Sequence, residues 1–74
     1  MPARRQLRTR KDMVALLAEL GVESPEEHSG SMWNTICEGC YASWDLGRSQ
    51  LRLQYVTTTS DRRGTVVIVE VEYP

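Results

Sequence analysis

The sequence predicts a small α+β domain in the order α-β-β-β-β, with one N-terminal helix packed on a four-stranded antiparallel meander. Three observations lead there. Met13, Leu16, Leu17 and Leu20 recur at i, i+3, i+4 and i+7, the apolar stripe of an amphipathic helix. Residues 66–71, VVIVEV, are β-branched except for one glutamate, and Glu70 and Glu72 enter only at alternate positions, as on a strand with one wet face. Finally, a single register carried through turns at Glu38-Gly39, Gly47-Arg48 and Asp61-Arg62-Arg63-Gly64 gathers the apolar residues between them on one face.

A chain of 74 residues buries only about 60% of its unfolded surface. One sheet face covered by one helix is close to the most it can build, and a deep catalytic cleft is hard to fit. The 26% charged and 41% hydrophobic fractions are those of a folded globular domain. The net charge of −1 conceals an asymmetry: Arg4, Arg5, Arg8, Arg10 and Lys11 make up five of the nine basic residues, and no acid precedes Asp12. We therefore read residues 1–8 as a flexible basic arm and residues 9–74 as the single domain.

Taken in order, Thr9 is a plausible N-cap with Asp12 three positions on, close to a capping box, and Gly21 is the expected C-terminal stop of the first helix. Ser24-Pro25-Glu26-Glu27 suits a single helical turn, which His28-Ser29-Gly30-Ser31 then breaks. Residues 32–46 hold both tryptophans and both cysteines. As a hairpin about Glu38-Gly39, they pair Cys37 with Cys40, Ile36 with Tyr41 and Trp33 with Trp44 across the strands. The alternative is helical. Trp33, Ile36, Cys37, Cys40, Tyr41 and Trp44 also fall on one helix face, giving α-α-β-β, but Gly39 in a helix interior costs roughly 1 kcal/mol relative to alanine. The hairpin is preferred because its register agrees with the later turns, where Leu53 faces Val71, Tyr55 faces Val69 and Thr57 faces Val67.

Function is read largely by exclusion. Neither a nucleophile-base constellation nor a glycine-rich phosphate loop is present, and the sole histidine, His28, sits in a polar connection, so an enzyme is not expected and no cofactor is called for. No apolar run approaches the roughly 18–20 residues needed to span a membrane. With only two cysteines the chain is expected to be cytoplasmic.

Three candidate sites remain. On the meander's second face Ile36, Tyr41, Val56, Val66 and Ile68 would form an exposed apolar cluster suited to a protein partner or a homodimer. That supports a non-catalytic protein-binding module, an adaptor or an inhibitor covering a partner's surface. A second reading is a nucleic-acid-binding accessory protein contacting phosphates through Arg4, Arg5, Arg8, Arg10 and Lys11. The third is a zinc-stabilised or redox-active module built on Cys37-x-x-Cys40, with His28 as a third ligand and Asp45 or a second chain completing the shell.

Overall fold

The computed structural model describes residues 2–39, 41–46 and 52–72. It contains β1 (Pro2–Leu7), α1 (Arg10–Glu19), α2 (Pro25–Cys37), β2 (Ser43–Asp45), β3 (Arg52–Asp61) and β4 (Gly64–Glu72). The strands form one antiparallel four-stranded sheet in the order β1-β4-β3-β2. Both helices lie on one face of it. The small α+β domain is as expected, but two of its elements are not.

The first correction is at the N-terminus. Residues 2–7, read from sequence as part of a mobile arm, pair with β4 along their whole length, from Pro2↔Glu72 to Leu7↔Val67. Leu7 is buried in the core, while Arg4 and Arg5 project to opposite faces and meet acids: Arg4 Nε lies 3.5 Å from Glu70, and Arg5 donates two hydrogen bonds of 2.8 and 2.7 Å to Glu19. The two arginines of this strand are matched by carboxylates distant in sequence.

The second correction concerns the aromatic stretch. Residues 32–37 are the C-terminal half of a helix that starts at Pro25, with no hairpin at Glu38-Gly39 and no Trp33–Trp44 pair. Burial overrides propensity here. Ser29, Met32 and Ile36 are buried on one face and Trp33 packs beside them, an i, i+3, i+4, i+7 stripe that begins one turn earlier than the rival helical reading placed it. His28-Ser29-Gly30-Ser31 does not break the helix: Ser29 Oγ donates to the Glu26 carbonyl at 2.9 Å, and the bare Gly30 backbone is where Arg10 crosses from α1. A Cβ on Gly30 would stand 3.1 Å from Arg10 Nη2.

The first helix is built as the sequence indicated. Asp12 N–H donates to Thr9 Oγ1 at 3.3 Å, Thr9 N–H returns to Asp12 Oδ2 at 3.0 Å, and Arg8 N–H adds a third bond at 2.8 Å. At its other end Gly21 N–H donates to Ala18 O at 3.1 Å and Val22 N–H to Leu17 O at 3.0 Å, the paired bonds of a Schellman stop.

In the β3–β4 hairpin the predicted register holds for Arg52↔Glu72, Leu53↔Val71, Gln54↔Glu70 and Tyr55↔Val69. A bulge at Val56 then shifts it, so that Thr57 faces Ile68 and Thr58, not Thr57, faces Val67. Beyond the bulge the hairpin closes at Asp61↔Gly64, as the turn residues predicted. On the other side, Trp44 pairs with Leu53, whereas the two-residue turn expected at Gly47-Arg48 sets Trp44 opposite Leu51; Leu51 and that turn lie outside the described residues. This is a slip of two positions, which preserves the face on which Trp44 lies. The core formed between the layers draws on Leu7, Met13, Leu16, Leu17, Met32, Ile36, Leu53, Tyr55, Val67, Val69 and Val71.

Candidate functional site

The helix-then-strand arrangement opens a cleft of about 580 Å³ between the C-terminal half of α2 and the β3–β4 hairpin. Trp33, Ile36, Cys37 and Gly39 form its helical wall, Tyr55, Thr58, Thr65 and Val67 its sheet wall, and Arg8 stands among the lining groups. The sequence sets this geometry locally. Gly39 ends α2 at φ +77°, with its N–H donating to Ile36 O at 2.9 Å, a left-handed stop that glycine adopts without strain. The chain can then turn back, and Ala42 O accepts from Tyr55 N–H at 3.0 Å to enter β2.

The bulge aims the far wall. With Val56 as the extra residue, Thr58 comes onto the helix side, where its hydroxyl lies 2.7 Å from the Tyr55 hydroxyl. That bond satisfies the polar end of a ring whose body is in the core, so a buried tyrosine carries no unpaired hydroxyl. Tyr41 packs against Tyr55 with ring centroids 5.4 Å apart and planes tilted by 46°. Tyr41 is 79% exposed, the only large hydrophobic residue so exposed among the described residues. An aromatic ring anchored on one side and open to solvent on the other is poised to bury area against a partner.

Of the five residues predicted to cluster on the sheet's outer face, Val66 and Ile68 share that face two positions apart on β4, with Val56 at the bulge beside them, but Ile36 and Tyr41 do not join them. Ile36 belongs to α2 and is buried in the core. Tyr41 stands on the helix side, beside Tyr55. Val66 is buried, and Val56 and Ile68 are half-buried, so the wet outer face displays Arg4, Gln6, Arg52, Gln54, Glu70 and Glu72 more than an apolar patch. The cause is the helical state of residues 32–37, which removes from the sheet the strand that was to carry Ile36.

The basic residues are dispersed too. Arg8 makes a bidentate ion pair with Asp61, with Nη1 at 3.0 Å from Oδ1 and Nη2 on Oδ2, and so ties the start of α1 to the tip of the hairpin. Arg10 donates to the Glu26 carbonyl at 3.3 Å, Lys11 is exposed on α1, and Arg4 and Arg5 are paired as above. The Arg8 guanidinium, then the Arg63 N–H, hold the Asp61 carboxyl below the usual carboxylate range, and Arg5 does the same for Glu19. The Asp12 carboxyl is lowered by the backbone N–H groups of Arg8 and Thr9.

Cys37 is exposed on the cleft wall, and Cys40 lies outside the described residues. His28 lines a different cleft of about 520 Å³, with Met32, Trp44 and Asp45. Nine positions separate His28 from Cys37 on one helix, roughly 13 Å of rise. Among the described residues no three histidine, cysteine or acidic side chains are grouped to hold a metal ion. Nor is any helix among them long and apolar enough to cross a membrane.

No protein-family model, curated protein or solved structure matches this chain. Sequence reasoning missed the pairing of Trp33 and Ile36 with Tyr55 and Val67 across a cleft. The signal was present in the α2 periodicity, but the bulge that brings Thr58 into the wall has no mark in the run of threonines at 57–59.

Proposed function

We propose that this chain is a non-catalytic protein-binding module whose contact surface is the cleft between α2 and the β3–β4 hairpin. The observation that carries this reading is the contact of Tyr41 with Tyr55, a residue of the cleft's sheet wall, with Tyr41 79% exposed. Tyrosine and tryptophan dominate binding hot spots, since each buries a large rigid surface at small entropic cost and retains a polar handle. An apolar floor of Ile36 and Val67 with the hydroxyls of Thr58 and Thr65 above it has the apolar core and polar rim of a recognition surface. The cleft's composition also favours binding over catalysis. Its titratable side chains are Arg8, Cys37 and Tyr55; Arg8 is committed to Asp61 and the Tyr55 hydroxyl to Thr58.

The test is comparative capture. Tagged wild-type protein and Tyr41→Asp are used as baits in parallel, after circular dichroism and melting have established that the substitution leaves the fold intact. A partner retained by the wild type and lost by Tyr41→Asp supports the reading. Identical sets of retained proteins, or no specific protein on either bait, would refute it.

A further inference from the structure

We propose that the outer edge of β1 is a second docking site, which accepts an extended segment with alternating acidic and β-branched residues as a fifth strand of the sheet. Along all six of its residues β1 pairs with β4 and, among the described residues, with no other strand, so its opposite edge carries backbone donors and acceptors directed away from the sheet. The sheet's other edge, β2, is three residues long and offers little length for pairing.

The chemistry of the partner can be read from the strand that already occupies the inner edge. Along Val69, Glu70, Val71 and Glu72, β4 alternates valine towards the helices with glutamate towards the outer face. It sets Val71 beside Ala3, Val69 beside Arg5, and Glu70 beside Arg4. Side chains of one strand point to the same two faces whichever neighbour they meet. The outer edge therefore presents the same series to a newcomer: Arg4 and Gln6 on the outer face, Ala3 and Arg5 on the helix side, with Leu7 already buried in the core. Arg4 keeps 67% of its side chain exposed while within 3.5 Å of Glu70, so it can meet a second carboxylate.

The same features select against two other occupants. A second copy pairing β1 with β1 about a two-fold axis at Arg4 would set Arg4 against Arg4, and like charges directly opposite are destabilising. A phosphate backbone is best met by cations gathered on one surface, whereas Arg4 and Arg5 point to opposite faces of the strand. An acidic strand needs only the outer-face cation and the backbone ladder.

The probe is a fluorescein-labelled synthetic peptide of about eight residues, a typical strand length, in which glutamate alternates with valine. It is compared with its lysine-valine counterpart and with the glutamate-valine peptide N-methylated at alternate amides. Binding to the full chain is followed by anisotropy, and amide hydrogen exchange locates it. We expect saturable binding of the acidic peptide alone, with slowed exchange confined to residues 3–7. Arg4→Glu should weaken binding about tenfold, the reversal of one cross-strand charge pair, and Arg4→Gln should fall between it and wild type. Tyr41→Asp, which tests the cleft, should bind the peptide unchanged, so the two surfaces stand or fall separately. The proposal is overturned if the acidic peptide does not bind, if the lysine or N-methylated peptide binds equally well, or if protection appears elsewhere. Tighter binding of a single-stranded oligonucleotide to the same edge, or protection of β1 by self-association without peptide, would also overturn it.

Discussion

At Gly39 the backbone passes through φ +77°, and at Ser24 through φ 53° and ψ 58°. The left-handed region costs an L residue roughly 1–2 kcal/mol and glycine almost nothing. Gly39→Ala should therefore lower stability by about 1 kcal/mol, and Ser24→Gly should raise it by a similar amount, since Ser24 makes no side-chain cap bond that the change would remove. Urea denaturation reads both, and a loss of stability in Ser24→Gly would show that its serine contributes something beyond conformation. The need for positive φ at Gly39 was legible in the sequence. Which structure used it was not, because a primed hairpin turn and a left-handed helix stop ask the same of one glycine.

Elements were legible where their apolar period was long and uninterrupted. The α1 stripe with its capping box, and the ladder joining Leu53 to Val71 and Tyr55 to Val69, could be read directly. Strand β1 could not: of Ala3, Arg5 and Leu7 on its core side only Leu7 is a large apolar residue, and its arginines are satisfied by Glu70 and Glu19, acids that sequence proximity does not reveal. For α2, Gly30 and Ser29 looked like breakers because their use, close approach to α1, exists only in the folded state. Two substitutions test these elements. Leu7→Ala should cost about 2–5 kcal/mol, the usual range for a buried leucine, where a mobile arm would lose almost nothing. Ile36→Ala should lose a comparable amount while Tyr41→Ala loses little, the two having been expected to behave alike as a cross-strand pair on an exposed face. Near-neutral Leu7→Ala would remove β1 from the fold, and with it the edge proposed to take a fifth strand.

Across the whole molecule, basic segment and acidic body are folded onto one another. The N-terminal eleven residues carry no acid and the remainder carries a net −6, yet Arg4, Arg5 and Arg8 each reach an acid of that remainder, in β4, α1 and the hairpin tip respectively. The Arg5 and Arg8 side chains hold Glu19 and Asp61 below their ordinary values, and the backbone N–H groups of Arg8 and Thr9 do the same for Asp12. A carboxyl whose folded pKa is depressed contributes stability that is complete above its unfolded pKa, about 4, and is lost as pH falls through the lower folded value. Melting temperature should thus be level from about pH 7 to about pH 5 and decline below about pH 4. All three groups are at or near the surface, so each increment is small, and added salt should weaken the Arg5–Glu19 and Arg8–Asp61 contributions. The Arg8→Gln variant separates the causes. Asp61 is lowered first by the Arg8 side chain, whereas Asp12 is lowered first by the Arg8 backbone N–H, which the substitution leaves in place. Carboxyl titration by NMR should find Asp61 moved well back towards its ordinary value in Arg8→Gln, with Asp12 scarcely changed. Equal movement of both would mean that the loss of Arg8 loosens the Thr9 cap itself, and that the clasp between β1, α1 and the hairpin tip is a single cooperative unit.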